Sequence, residues 1–260
     1  MKTMKNKYLL FLAVIFTVQF AMPFGTRSQE VRDVEITAQY ILARVDKILD
    51  YPRGLIKGSM KHITPDGASS NIDIEAFVEK DEYLFKFSSK ERGEQLNVLY
   101  TMRGDDVWVY NNHALKLYHK TGIDKYDTIL STNFFYIDFS NADLQSNYTA
   151  TIEGETTYKG YKAYILKLKP IFKGGEYGYL NLLVSKDKFI PLRIDYHDKD
   201  NAIFKFMNIV KVKEKGNTVI PLRYDMLNIR TGTVTLLSFF EFDDKIEFKK
   251  ENFRPEKLGE

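Results

Sequence analysis

Two periodicities divide the chain. Val34, Ala38, Ile41, Val45 and Ile48 recur at helical spacing, Asp33 stands where a cap belongs, and Pro52 and Gly54 end the run. The spacing predicts one amphipathic helix over 33–49 with a single apolar stripe. From Leu55 onward the period becomes two. Ile72, Ile74, Ala76 and Val78 alternate with mostly polar neighbours. So do Tyr83, Phe85 and Phe87, and then Leu96, Val98, Tyr100 and Met102. Short polar turns separate these runs, which is the pattern of a β-meander with one buried and one wet face.

The stretch 122–145 breaks that rhythm. Phe134, Phe135, Tyr136, Ile137, Phe139 and Leu144 make it strongly apolar, and Ser140 with Asp143 fits a capping box. It reads as one or two short helices inserted between two sets of strands. Its aromatic side chains either plug the core or form a movable lid. Alternation resumes near Asn147 and runs to Asp243. Leu180, Leu182 and Val184 share one face, as do Leu192, Ile194 and Tyr196, and then Val234, Leu236, Phe240 and Phe242. A short echo, Ile190-Pro-Leu-Arg-Ile-Asp and Ile220-Pro-Leu-Arg-Tyr-Asp, places a proline at the start of two strands, where no ladder hydrogen bond is lost. The result is a mainly β chain of about eleven antiparallel strands, too many to lie flat, so the sheet must curl, close or split. A helix laid against the concave side would cover its apolar face.

The first residues carry a different signal. Lys2, Lys5 and Lys7 precede an apolar run from Tyr8, and Thr26 and Ser28 put small residues before Gln29. That order predicts a secretory signal peptide over 1–28, cleaved to leave a single domain over 29–260 in the periplasm. The leader also carries the basic balance. Without Lys2, Lys5, Lys7 and Arg27, the 38 bases fall to 34 against 35 acids, which removes the electrostatic support for a nucleic-acid partner. The absence of cysteine excludes disulfides, thiolate metal sites and a lipid-modified cysteine.

Catalytic patterns are missing. His62, His113, His119 and His197 form no metal spacing, and no nucleophile elbow, phosphate loop or dinucleotide fingerprint occurs. Asp105–Asp106 and Asp243–Asp244 read as solvated turn residues, and Asn147-Tyr-Thr149 as a chance sequon. The expectation is a non-enzymatic protein without metal or cofactor. Its aromatic content, 19 Phe and 17 Tyr, suits either a filled core or a sheet lining an apolar cavity.

Five segments carry a resemblance: Gly104-Asp-Asp-Val-Trp-Val-Tyr110, Ser131-Thr-Asn-Phe-Phe-Tyr-Ile-Asp138, Tyr158 to Pro170, Val184 to Tyr196, and Thr231-Gly-Thr-Val-Thr235. In this order they resemble the bacterial outer-membrane lipoprotein-sorting proteins, the LolA-like carriers. The family's form of the second segment is closer to Gly-Ser-Asp-Phe-Ser-Tyr-Glu-Asp, so Asn133 departs from it. The resemblance implies a curled, incompletely closed antiparallel half-barrel whose concave face is covered by helices and holds acyl chains. Tyr83, Phe85, Phe87, Leu96, Val98, Tyr100, Met102, Leu182, Leu192, Ile194 and Leu236 are then the candidate cavity wall. Val34, Ala38, Ile41, Val45, Phe134, Phe135 and Leu144 are the candidate lid. The implied partners are lipoprotein acyl chains or another lipid, an inner-membrane exporter as donor and an outer-membrane acceptor. The alternative is an envelope sensor on the same scaffold. Studied members latch the lid with an arginine inside the barrel. No arginine stands on an apolar strand face here, so that role is not carried over.

Overall fold

The computed structural model describes residues 35–140, 143–215 and 218–260. The predicted leader over 1–28, Asp33 and Val34 lie outside them. The helix α1 spans Ala38–Leu49, with Thr37 as its cap, accepting from the Tyr40 amide at 3.1 Å. Its stripe buries Ile41, Leu42 and Val45.

Thirteen strands follow in one antiparallel sheet. The first six are β1 (Gly54–Ile63), β2 (Ser69–Glu79), β3 (Glu82–Ser89), β4 (Glu94–Thr101), β5 (Asp106–Asn111) and β6 (Lys116–Lys120). After the insertion come β7 (Tyr148–Tyr158), β8 (Tyr161–Pro170), β9 (Tyr179–Ser185), β10 (Pro191–His197), β11 (Ile203–Lys215), β12 (Thr218–Asn228) and β13 (Val234–Asp243). Every neighbour in the sheet is also a neighbour in sequence, except that β1 pairs with β13 and so welds the two meanders together. The sheet stays open, with β6 and β7 at its edges. About eleven strands were expected and thirteen form; the two edge strands β6 and β7 are exposed along most of their length.

Alternate residues of nearly every strand turn to the concave side. There they form one core with α1 and with the inserted helices α2 (Tyr136–Phe139) and α3 (Leu144–Asn147). The expected Ser140–Asp143 box does not form. Ser140 ends α2, and Asp143 caps α3 by accepting from the Ser146 amide. The convex side is not uniformly wet either. Over β3 and β4, Leu84 and Leu99 are sealed by Phe253 and Leu258 of the C-terminal turns, and Asn97 Nδ2 donates to the Leu258 carbonyl at 2.6 Å.

Candidate functional site

Between sheet and cover lies an apolar cavity of about 90 Å³. Tyr83 and Phe85 of β3, Leu182 of β9, Ile194 of β10 and Met207 and Ile209 of β11 form part of its wall. Val45 and Leu49 of α1, with Phe134, Phe139 and Leu144 of the insertion, form part of its roof. A carrier of acyl chains is expected to hold a covered cavity of at least several hundred Å³; at about 90 Å³ the interior is largely filled, which counts against a preformed acyl site. The roof residues fill the space: Phe139 packs edge-on against Phe85 and Phe87 and touches Phe134.

Most predicted wall and lid residues meet in this one core. Phe87, Leu96, Val98, Tyr100 and Ile41 are buried in it without lining the cavity, and Ala38 is half-buried against it. Three predicted wall residues do not belong. Met102 falls after β4, in a 3₁₀ turn at φ +50°, and is 69% exposed. Leu192 is the extra residue of a β-bulge between Pro191 and Arg193, so Pro191 and Ile194 face the cavity while Leu192 packs on the far side with Ala163, Ile190 and Val219. Leu236 is out of phase. Its strand buries Thr235, Leu237 and Phe239 on the concave side, leaving Phe240 and Phe242 exposed. The run Val234-Thr-Leu-Leu-Ser-Phe-Phe is apolar at both parities, and a one-residue slip in phase exchanges the faces. Pro221 likewise lies inside β12 rather than at its start, opposite Val212 beside a bulge, where a missing amide is tolerated.

The pair that fastens the insertion went unread in the sequence. Lys205 shares a face of β11 with Met207 and Ile209 and is fully buried. Its Nζ lies 2.8 Å from Asp138 Oδ2 and donates to the Asn133 carbonyl at 3.2 Å. It sits over the Phe135 ring at 3.7 Å, with the Tyr196 and Tyr177 rings at 4.7 and 5.2 Å. Asp138 Oδ2 also accepts from the Phe135 amide at 2.9 Å, and Oδ1 accepts from the Tyr177 hydroxyl at 2.6 Å. Burial pushes the Lys205 ammonium below its ordinary value, and the charge of Asp138 opposes that push. Burial raises Tyr126 to about 12 and Tyr177 and Tyr196 well above the ordinary phenol, so these hydroxyls stay protonated donors. The signal the sequence carries for this pair is a lysine flanked by Phe204, Phe206 and Met207.

Two further ties hold the cover. Asn133 donates from Nδ2 to the Met226 and Thr233 carbonyls at 3.2 and 2.9 Å and accepts from Thr233 Oγ1 at 2.7 Å, pinning the insertion to the β12–β13 hairpin. Asp46 of α1 accepts from the Leu144 and Gln145 amides at 2.8 and 3.1 Å, so α1 caps α3.

Two polar recesses lie outside the apolar cavity and share Ser131. One, of about 350 Å³, includes Glu94, His113 and Lys120, and the other, of about 320 Å³, includes His62 and Arg92. Burial and then the Arg92 charge lower the His62 pKa, and burial lowers that of His197. Both rings therefore fold neutral. Their contribution is present above the unfolded value of 6.5 and is lost as pH falls through the lower folded values. Thermal melts from about pH 7 to about pH 5 are expected to show a falling midpoint, and His62→Gln with His197→Gln to flatten that slope. An unchanged slope in the double variant would assign the acid sensitivity elsewhere. Among the described residues no cluster of His, Asp or Glu is placed to hold a metal, and no helix is long and apolar enough to cross a membrane.

A family model described as "Uncharacterized protein" matches residues 79–260. The sequence matches no curated protein. Among solved structures, the chain is similar to a DUF1329 family protein from Desulfovibrio piger, at 18% identity and a TM-score of 0.70, covering 85% of this chain and 97% of that one. A domain from Vibrio parahaemolyticus described as an outer membrane lipoprotein-sorting protein matches at 16% identity and a TM-score of 0.70, over 86% of this chain and 98% of the other. A LolA superfamily protein from Nitrosomonas europaea matches at 16% identity and a TM-score of 0.69, over 84% and 98%. At these identities the likeness establishes the fold: one open antiparallel sheet of the LolA-like type.

Proposed function

Because the chain belongs to the uncharacterized-protein family whose model spans residues 79–260, and its sheet has the LolA-like fold, we propose that it is a carrier that shelters acyl chains beneath the α1–α3 cover. The observation that carries this is the roof itself: an apolar concave face covered by a short insertion that a single buried ion pair, Lys205–Asp138, helps to hold. In this structure Phe134, Phe139 and Leu144 occupy the space beneath the cover. An acyl chain gains about 0.8 kcal/mol per methylene on leaving water, and a cavity of about 90 Å³ cannot hold one. Phe134, Phe139 and Leu144 must leave for it to enter. Since these side chains are themselves apolar, the exchange is nearly balanced in buried surface, and the polar ties set the opening cost.

The carrier acts in the periplasm after loss of residues 1–28, with 29–260 as the working domain. It takes lipoprotein acyl chains, or another lipid, from an inner-membrane exporter and delivers them to an outer-membrane acceptor, without chemistry of its own. The lipoprotein-sorting description of the Vibrio relative supports that direction. The test is native mass spectrometry with lipid extraction on protein purified from a bacterial periplasm. The expected result is an acylated molecule bound at about one per chain. Folded protein with no bound lipid and no uptake of added lipid would overturn the proposal.

A further inference from the structure

Asp138 occupies a site that the scaffold built for a carboxylate. Two donors from outside the insertion converge on it: Lys205 Nζ on Oδ2 at 2.8 Å and the Tyr177 hydroxyl on Oδ1 at 2.6 Å. One oxygen each is how a carboxylate is held from two sides. A third group waits beside them. The Tyr196 hydroxyl is buried without a hydrogen-bond partner, its ring lies 4.7 Å from Lys205 Nζ and 5.0 Å from the Tyr177 ring, and the Asp138 charge acts on it. Lys205 stands on β11, Tyr196 on β10 and Tyr177 just before β9, all outside the insertion. Asp138 also lines the apolar cavity, so the polar site and the space for a chain are continuous.

Opening the roof removes the only carboxylate in contact with Lys205 among the described residues. A buried ammonium with no counter-charge does not persist in an apolar wall. Whatever displaces Asp138 must replace its charge as well as the volume of Phe134 and Phe139.

We propose that the site takes the carboxylate of a single-chain fatty acid, which substitutes for Asp138 on Lys205 and Tyr177 while its hydrocarbon tail fills the space vacated by the roof. This rests on the carrier function proposed above and names its cargo: an anionic acyl chain in preference to an uncharged one. Asp138 is then a built-in competitor that keeps the empty protein closed.

The experiment titrates the chain lacking residues 1–28 with laurate, with dodecanol and with a diacylglyceryl-cysteine peptide, reading affinity by calorimetry. Laurate is expected to bind at least about tenfold more tightly than dodecanol, as one charge-assisted hydrogen bond to a buried group predicts. Asp138→Asn removes both the competitor and a tie of the roof, and its laurate affinity is expected to rise about tenfold or more, with the rise for dodecanol the smaller of the two. Tyr177→Phe leaves the ion pair intact and is expected to narrow the laurate preference several-fold, which keeps the proposal testable should Asp138→Asn not fold. Equal affinity for laurate and dodecanol in the native chain, with no change in Tyr177→Phe, overturns the carboxylate site while leaving a carrier of neutral chains. Tight binding of the diacylglyceryl peptide alone does the same. Binding of none of the three overturns the carrier function itself.

Discussion

Asp138→Asn is expected to lower the unfolding free energy by about 3–5 kcal/mol, the loss seen when one partner of a buried ion pair is removed. The pair itself is not the source of that figure. Both side chains were desolvated to form it, and at 0% and 1% side-chain exposure neither recovers water when the other goes. The loss comes from Lys205 left without its ion-pair partner beside Phe135, Tyr177 and Tyr196, whether it stays charged or gives up its proton. Lys205→Met with Asp138→Leu, which removes both charges and keeps the volume, is expected to restore most of the stability. The sign of the pH dependence gives a second reading. Burial already lowers the Lys205 pKa, and without Asp138 only the smaller Glu176 charge opposes it. In Asp138→Asn the unfolded state therefore holds the extra proton, and stability rises with pH up to the unfolded value of 10.5. Urea titrations at two pH values measure both. A loss below about 1 kcal/mol would mean that the insertion does not depend on this pair.

Phe134→Ala carries the second large effect. Phe134 is buried in the roof, lines the cavity and touches the Phe139 ring at 5.3 Å. Its truncation is expected to cost about 3–5 kcal/mol, the range for a buried phenylalanine. The same change deletes part of the plug, so an acyl probe has less to displace, and its affinity is expected to rise about fivefold or more, roughly 1 kcal/mol. Denaturant unfolding and fluorescent fatty-acyl binding, run on one preparation, separate the two. A weaker probe affinity would make Phe134 a contact of the cargo instead of its competitor.

The echo of Ile190-Pro-Leu-Arg-Ile-Asp and Ile220-Pro-Leu-Arg-Tyr-Asp shows how a repeated motif can mean local chemistry alone. In each copy Arg and Asp, two residues apart on the same face, pair with each other: Arg193 with Asp195 at 2.6 Å and Arg223 with Asp225 at 3.0 Å. Such half-exposed pairs contribute little to stability, and the two copies lie in strands separated by β11.

What the sequence by itself determined was the class of structure: one amphipathic helix, then strands, with an apolar insertion between two meanders. Period is a local property, and Tyr83, Phe85 and Phe87 or Leu96, Val98 and Tyr100 reach the concave core because nothing interrupts their alternation. What only the tertiary structure decided was phase and partnership. The bulge at Leu192 inverts a face in mid-strand, and β13 is apolar at both parities, so Leu192 and Leu236 point away from the cavity. The cap at Thr37, the C-terminal seal over Leu84 and the β1–β13 weld each join distant or ambiguous segments. Lys205 and Asp138 are 67 residues apart and meet only when the insertion folds back over β11. A buried charge is legible only with its partner in view, because water, which would otherwise explain a lysine on a strand, is excluded by residues from the rest of the chain.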